Sequence, residues 1–265
     1  MKMTPPGAAG LAVTKHSSPV PYDRSASTEG RSQRARPLMR KYEIAHLTPS
    51  GNIDDFSKIA PAVPAFEDCF AALGRGAILQ TDFGPRAVED LLPGDVVITA
   101  SSGPQTLLWK GSMTIVPGAQ NSRPEMGTMT RLTADALGLG RPLPDLVLGP
   151  AARVLHSANG VRTLTGSDAA MVPVRDFIDQ SQIIELTPFA PVQVYQLGFE
   201  NHERISVNGI EIESLHPGPL HTLNLRPEAQ AMLNDLFPHK ELLRDFGTML
   251  HPRIRLRDLD LFDAA

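Results

Sequence analysis

The sequence predicts a mostly β protein, on three observations: short apolar runs recur about every ten residues, Gly- and Pro-rich turns separate them, and helical periodicity appears only near the C-terminus. An extended chain turns alternate side chains to opposite faces, so runs of four to six residues suffice to cover one face of a sheet. With 265 residues, 42% of them hydrophobic, the chain has ample material for a core.

The elements follow in chain order. Residues 1–36 are rich in Pro, Ser, Gly and Thr, with Arg24, Arg31, Arg34 and Arg36 against Asp23 and Glu29. Such a segment buries too little apolar surface to offset its chain entropy, so a disordered basic arm is expected. Residues 37–65 read as a linker carrying one edge strand at 40–47, with 52–59 as a short helical turn. A β domain is expected over 66–218, with strands at 77–81, 96–99, 105–109, 114–116, 129–132, 146–148, 154–156, 183–186, 192–197 and 204–207. Asp82-Phe83-Gly84-Pro85, Pro93-Gly94-Asp95, Ser102-Gly103-Pro104, Ala158-Asn159-Gly160 and Asn208-Gly209 supply turns between them. Glu89 and Asp95 flank one such turn as caps for backbone N–H groups, while Val88, Leu91, Val96 and Val97 point inward. Short helices are expected at 133–137 and 174–178. Residues 219–265 form a C-terminal helical extension, a hairpin of helices at 227–236 and 240–250, with Pro227 suited to a first turn and an apolar stripe through Leu233, Leu236, Leu242, Leu243, Phe246 and Leu250.

Composition narrows the function. A formal net charge of −4 creates no overall field toward nucleic acid or an anionic membrane, although the basic arm by itself offers a lesser route to nucleic acid. The single cysteine, Cys69, excludes an intramolecular disulfide and a Cys-based zinc cluster. No stretch approaches the ~18 apolar residues of a membrane span, and Met1-Lys2-Met3-Thr4-Pro5-Pro6 leads into no signal-like apolar run, so a cytoplasmic chain without membrane contact is expected. The histidines follow no ligand spacing, so neither metal nor cofactor is expected. The chain is expected to be a monomer whose partner is an unidentified protein or small molecule.

Gly76-Ala77-Ile78-Leu79-Gln80-Thr81 followed by Val88-Glu89-Asp90-Leu91-Leu92-Pro93-Gly94-Asp95-Val96-Val97 resembles the opening of Hedgehog/intein (Hint) domains, where a "G-T-x-I-x-T … V-E-x-L-x-x-G-D-x-V" stretch follows the nucleophile. Trp109, then Asp145-Leu146-Val147-Leu148-Gly149-Pro150 with Arg153-Val154-Leu155, and finally Tyr195-Gln196-Leu197 through Phe199-Glu200-Asn201-His202-Glu203 to Glu213-Ser214 and Pro217-Gly218, are similar to the bacterial Hint branch in order and spacing. The resemblance covers about residues 66–218 and implies a Hint-type all-β fold.

It also implies a chemistry. Hint domains are autocatalysts in which a Cys or Ser at the first position attacks the preceding carbonyl, assisted by a hydroxyl and an imidazole from a later "T/S-x-x-H" turn. Counting back from Gly76 places the nucleophile position at Ala72, and the turn that reads "S-P-x-H-R" in relatives reads Gly149-Pro150-Ala151-Ala152-Arg153 here. Nucleophile, hydroxyl and imidazole thus become Ala72, Gly149 and Ala152, so a non-processing scaffold or binding module is expected. The alternative is self-cleavage at Asp68-Cys69, with Cys69 as nucleophile after a local insertion and attack on the Asp68 carbonyl. His202, in the matched "F-x-x-H-E" stretch, is the other candidate site residue.

Overall fold

The computed structural model describes residues 38–120 and 122–259; the arm expected over residues 1–36 lies outside them. A hairpin opens the described chain, β1 (Met39–Leu47) and β2 (Ile53–Pro61), and leads through one helical turn, α1 (Pro64–Glu67), to β3 (Leu73–Gly74). Then come β4 (Ile78–Thr81), β5 (Gly84–Ala87), β6 (Val96–Thr99), β7 (Gly103–Thr106), β8 (Trp109–Ile115), β9 (Met129–Leu132), β10 (Leu146–Leu148) and β11 (Arg153–His156). Helix α2 (Asn159–Thr165) precedes β12 (Ala170–Pro173), β13 (Ile183–Leu186), β14 (Val192–Gly198), β15 (Arg204–Val207) and β16 (Ile210–Glu213), and α3 (Pro227–Asn234) follows.

These strands form two antiparallel sheets. One runs β13-β9-β10-β3-β14-β8-β1-β2; the other runs β12-β11-β16-β15-β4-β6-β7, with β5 paired to β4. The first sheet is organised by the long β8/β14 ladder, from Val192 opposite Ile115 to Gly198 opposite Trp109. Leu73, Leu79, Leu91, Val97, Leu148, Leu197 and Ile205 belong to one buried apolar cluster. A second gathers Tyr42, Phe66, Phe70, Trp109 and Phe237, and there the Trp109 indole N–H donates to the Leu236 carbonyl at 2.8 Å. Gly111 is required at this spot: a Cβ would lie 2.1 Å from the Trp109 ring and 2.7 Å from Phe70.

The expected β architecture is the observed one, and Glu89 and Asp95 accept the backbone N–H groups of Gly76 and Leu92 as turn caps should. Several local expectations are corrected. Residues 52–59 are no helical turn but most of β2, because the strand β1 lies beside them and pairs with every residue from Ile53 to Pro61. No helix forms at 133–137, where Asp135 adopts φ 64° within a run of turns. Asn159 and Gly160, expected in a turn with Ala158, instead open α2 (Asn159–Thr165), closed by Gly166 in the left-handed conformation. The expected C-terminal hairpin keeps its first helix, α3; its second is only a 3₁₀ turn at Leu243–Phe246, because Gly247 at φ 73° ends it after one turn. Val96 is half-buried rather than inward. Among the described residues no helix is long and apolar enough to cross a membrane.

Candidate functional site

The two-residue strand β3 sets the geometry. Leu73 sits opposite Leu148 of β10 on one side and Tyr195 of β14 on the other. Just upstream, Ala72 N–H donates to the Tyr195 carbonyl at 3.2 Å, the Ala72 carbonyl accepts from Gly149 N–H at 2.8 Å, and the Ala71 carbonyl accepts from Ala151 N–H at 2.9 Å. The backbone of 71–72 therefore lies directly against 149–151. Of the sequence-predicted positions, Ala72, Gly149 and Ala152 come together here.

The contact leaves no room for a side chain at position 149. A Cβ at Gly149 would stand 2.3 Å from the Ala71 carbonyl oxygen and 2.8 Å from its carbon, both backbone atoms that cannot swing aside. Ala152 is 0% exposed and packs in the same apolar cluster as Ala72 and Leu73. An imidazole there would need volume that neighbouring side chains already fill.

Cys69 occupies a different setting. It lies in the turn that ends α1, its N–H bonded to the Phe66 carbonyl at 3.1 Å and its Sγ donating to the Ala65 carbonyl at 3.4 Å. The residue is 3% exposed. Burial first, then the Asp68 charge, push the thiol from its ordinary value near 9 up to about 12, against the smaller pull of Arg253 and Arg153. The sulfur is thus a protonated thiol at neutral pH. Among the described residues no histidine hydrogen-bonds to it.

His202 belongs to a buried ionic network that the sequence did not reveal. Its Nδ1 accepts the Leu250 N–H at 3.0 Å, which leaves the proton on Nε2, 3.3 Å from Glu213 Oε1 and off the line of a strong hydrogen bond. Arg253 Nε contacts both carboxylate oxygens of Glu213, at 2.9 and 3.1 Å, and Arg253 Nη2 donates to the His216 carbonyl at 2.7 Å. Arg153 reaches Glu213 at 3.6 Å and Asp68 at 4.0 Å. Asp68 in turn binds Arg123 at 2.6 Å; Arg123 also binds Glu67 at 3.0 Å, and Arg40 completes the chain at Glu67. Burial would raise the Glu213 carboxyl, yet Arg253, the His202 N–H and Arg153 outweigh it and hold the group at about 2. Behind it, His216 accepts the Gly218 N–H through Nδ1 at 2.9 Å and faces the Gly247 carbonyl through Nε2 at 3.2 Å. Burial and the neighbouring His202 bring His216 down to about 4, so it is neutral.

Asp68, Arg153, Glu213 and Arg253 are the members that sequence reading missed. Arg153 and Glu213 stand within quoted motifs, but their roles depend on Arg253, which returns from beyond position 219. Met171 and Arg253 are bridged, and Ile254 N–H donates to the Met171 carbonyl, so the tail runs along β12 and delivers the guanidinium. No short-range pattern encodes that return. Among the described residues no three His, Cys, Asp or Glu side chains converge as metal ligands would.

The family model of the Hint domain matches residues 69–219, more than half of the chain. The chain belongs to the Hint domain family. Two solved structures are similar to it: a bacterial intein-like domain from Clostridium thermocellum, 12% identical over 54% of this chain and 98% of that one, with a TM-score of 0.35, and a splice-inactive variant of the AceL NrdHF class 3 split intein, 10% identical over 55% of this chain and 98% of that one, with a TM-score of 0.37. No curated protein matches the chain at a significant level. The matched Hint segment begins at Cys69 and ends just before the 3₁₀ turn Leu220–Thr222, so the β1/β2 hairpin and the Arg253 tail both lie outside it.

Proposed function

We propose that this Hint domain does not process its own backbone and serves as a scaffold or binding module. One observation carries the reading: the Ala71 carbonyl presses on Gly149 so closely that no hydroxyl-bearing side chain fits at the position from which the family's acid–base turn would act. Loss of positioned acid–base help costs about 10²–10⁴ in rate, and the single cysteine is held as a thiol, which is not the attacking form. An N–S acyl shift at Asp68-Cys69 would need the thiolate to add to the Asp68 carbonyl while the amide nitrogen of Cys69 takes a proton. That N–H is bonded to the Phe66 carbonyl in the α1 turn.

A second reading, self-cleavage at Asp68-Cys69, is favoured by a single observation, the start of the family match at Cys69. Intact mass spectrometry of the purified full chain, incubated with dithiothreitol or hydroxylamine, separates the two. The expected result is one full-length species under every condition. A fragment pair divided between Asp68 and Cys69, released faster by either nucleophile and absent in Cys69→Ala, would overturn the proposal.

A further inference from the structure

The β1/β2 hairpin moves the open edge of the first sheet. Without it that edge would be β8; with β1 paired to β8, the last strand is β2, which among the described residues pairs with β1 alone. Long, regular edge strands are templates for further strands, and proteins blunt them with short length, bulges, Pro or charges; β2 carries Asp54, Asp55, Lys58 and Pro61, whose charges repel a second copy only in registers that set like against like. Here β2 has nine residues in unbroken register with β1, and Ile53 and Ile59 on its outer face are 48% and 67% exposed.

The order of residues along β2 identifies what fits. In a two-fold symmetric antiparallel pair centred on Phe56, Ile53 faces Ile59 of the second copy, Asp54 faces Lys58, Asp55 faces Ser57 and Phe56 faces itself. Every isoleucine and phenylalanine then meets an apolar residue, and both copies form the Asp54–Lys58 pair. The neighbouring symmetric register, centred on Asp55, sets Asp55 against Asp55 and is disfavoured by charge; the one centred on Ser57 sets Asp55 against Ile59 and Phe56 against Lys58. Lys58 is held near the edge by Asp235 at 2.6 Å and is still 42% exposed. We infer that β2 is a self-association edge, joining two copies of this chain through a continuous antiparallel sheet. This dimer replaces the monomer expected from sequence, and it stands independently of the processing question because the hairpin lies outside the Hint match.

The test is a charge swap at two exposed positions. Asp54→Lys alone sets two lysines against each other in both halves of the dimer, and Lys58→Asp alone does the same with two aspartates. Mixed together, the two variants restore opposite charges at both pairs: the introduced lysine meets the introduced aspartate, and the native Lys58 of one copy meets the native Asp54 of the other. Sedimentation velocity of the full chain from micromolar to hundreds of micromolar is expected to show a wild-type dimer, a rise in Kd of about tenfold or more for each variant alone, and recovery in the mixture. Circular dichroism checks that the variants fold. A wild-type chain monomeric throughout, single variants that dimerise as well as wild type, or a mixture that stays monomeric would each overturn the inference.

Discussion

The two halves of the site solve opposite problems. At the junction of 71–72 with 149–152 the side chains are small, and the Ala71 carbonyl packs directly against Gly149. A few residues away, around Glu213, full charges are retained in the interior and every one is answered by another. The junction packs backbone against small side chains, whereas the Glu213 region keeps a buried salt-bridge network. The network ties the C-terminal tail to the domain, and the junction ties β3 to β10. Both are holding devices.

The largest effect should come from breaking the charged half. Glu213→Gln leaves Arg253 and Arg153 without their shared counter-ion and is expected to cost about 3–5 kcal/mol by urea unfolding, because an unpaired buried charge is worse than either the pair or an apolar replacement. A loss below about 1 kcal/mol would mean the network is solvated and the contrast with the junction is false.

The dry half is tested by adding back what the family uses. Gly149→Ser is expected to destabilise by about 1–3 kcal/mol and to yield no cleavage, since its Cβ meets the Ala71 carbonyl. Unchanged stability together with cleavage at Asp68-Cys69 would show instead that the junction opens to admit a working hydroxyl.

Acidification probes the charged half together with other depressed groups, among them His239, which burial brings down to about 3. His216 titrates at about 4 in the fold against an ordinary 6.5, so the unfolded chain takes up the proton first and stability falls as pH drops through that window. Glu213 titrates at about 2 against 4.5, so its contribution is complete above 4.5 and is lost between there and 2. Stability should therefore decline steadily on acidification, with His216 contributing between about 6.5 and 4 and Glu213 between 4.5 and 2, each with a slope of up to about 1.4 kcal/mol per pH unit. Glu213→Gln should shrink the loss below pH 4.5 without abolishing it, because Glu89, Asp145, Asp176 and Asp179 are also held below their ordinary values.

The smallest effect is expected between the halves. Cys69→Ala removes a small buried thiol with one weak hydrogen bond, and about 1 kcal/mol of destabilisation with an unchanged pattern of full-length chain is the expected outcome.

Much of the fold was legible. β6, β9, β10, β13 and β15 begin and end where their apolar runs do, because each is bounded by turn formers and half-buried on a sheet. The stretches misread or missed are β2, β3, β5, β12 and β16, together with the β7/β8 region, where strands expected at 105–109 and 114–116 are in fact β7 (Gly103–Thr106) and the continuous β8 (Trp109–Ile115). β3 is two residues long, and β2 carries Asp54, Asp55 and Lys58, whose spacing mimics a polar turn until β1 lies beside it. Residues 240–250 carry helical spacing but reach only one turn, since Gly247 breaks the run and packing, not periodicity, holds Leu243 and Phe246 inward.

The sequence by itself determined the strand content, the likeness to Hint domains and the presence of Gly and Ala at 149 and 152, because these depend on residue identity and near neighbours. Only the tertiary structure decided that Gly149 is pinned under the Ala71 carbonyl, that Cys69 is buried in a helical turn, and that Glu213 is shared by His202, Arg153 and Arg253. Each of those facts rests on packing between segments that the chain brings back from far away, and no local pattern carries the long-range geometry that sets them within a few ångströms of one another.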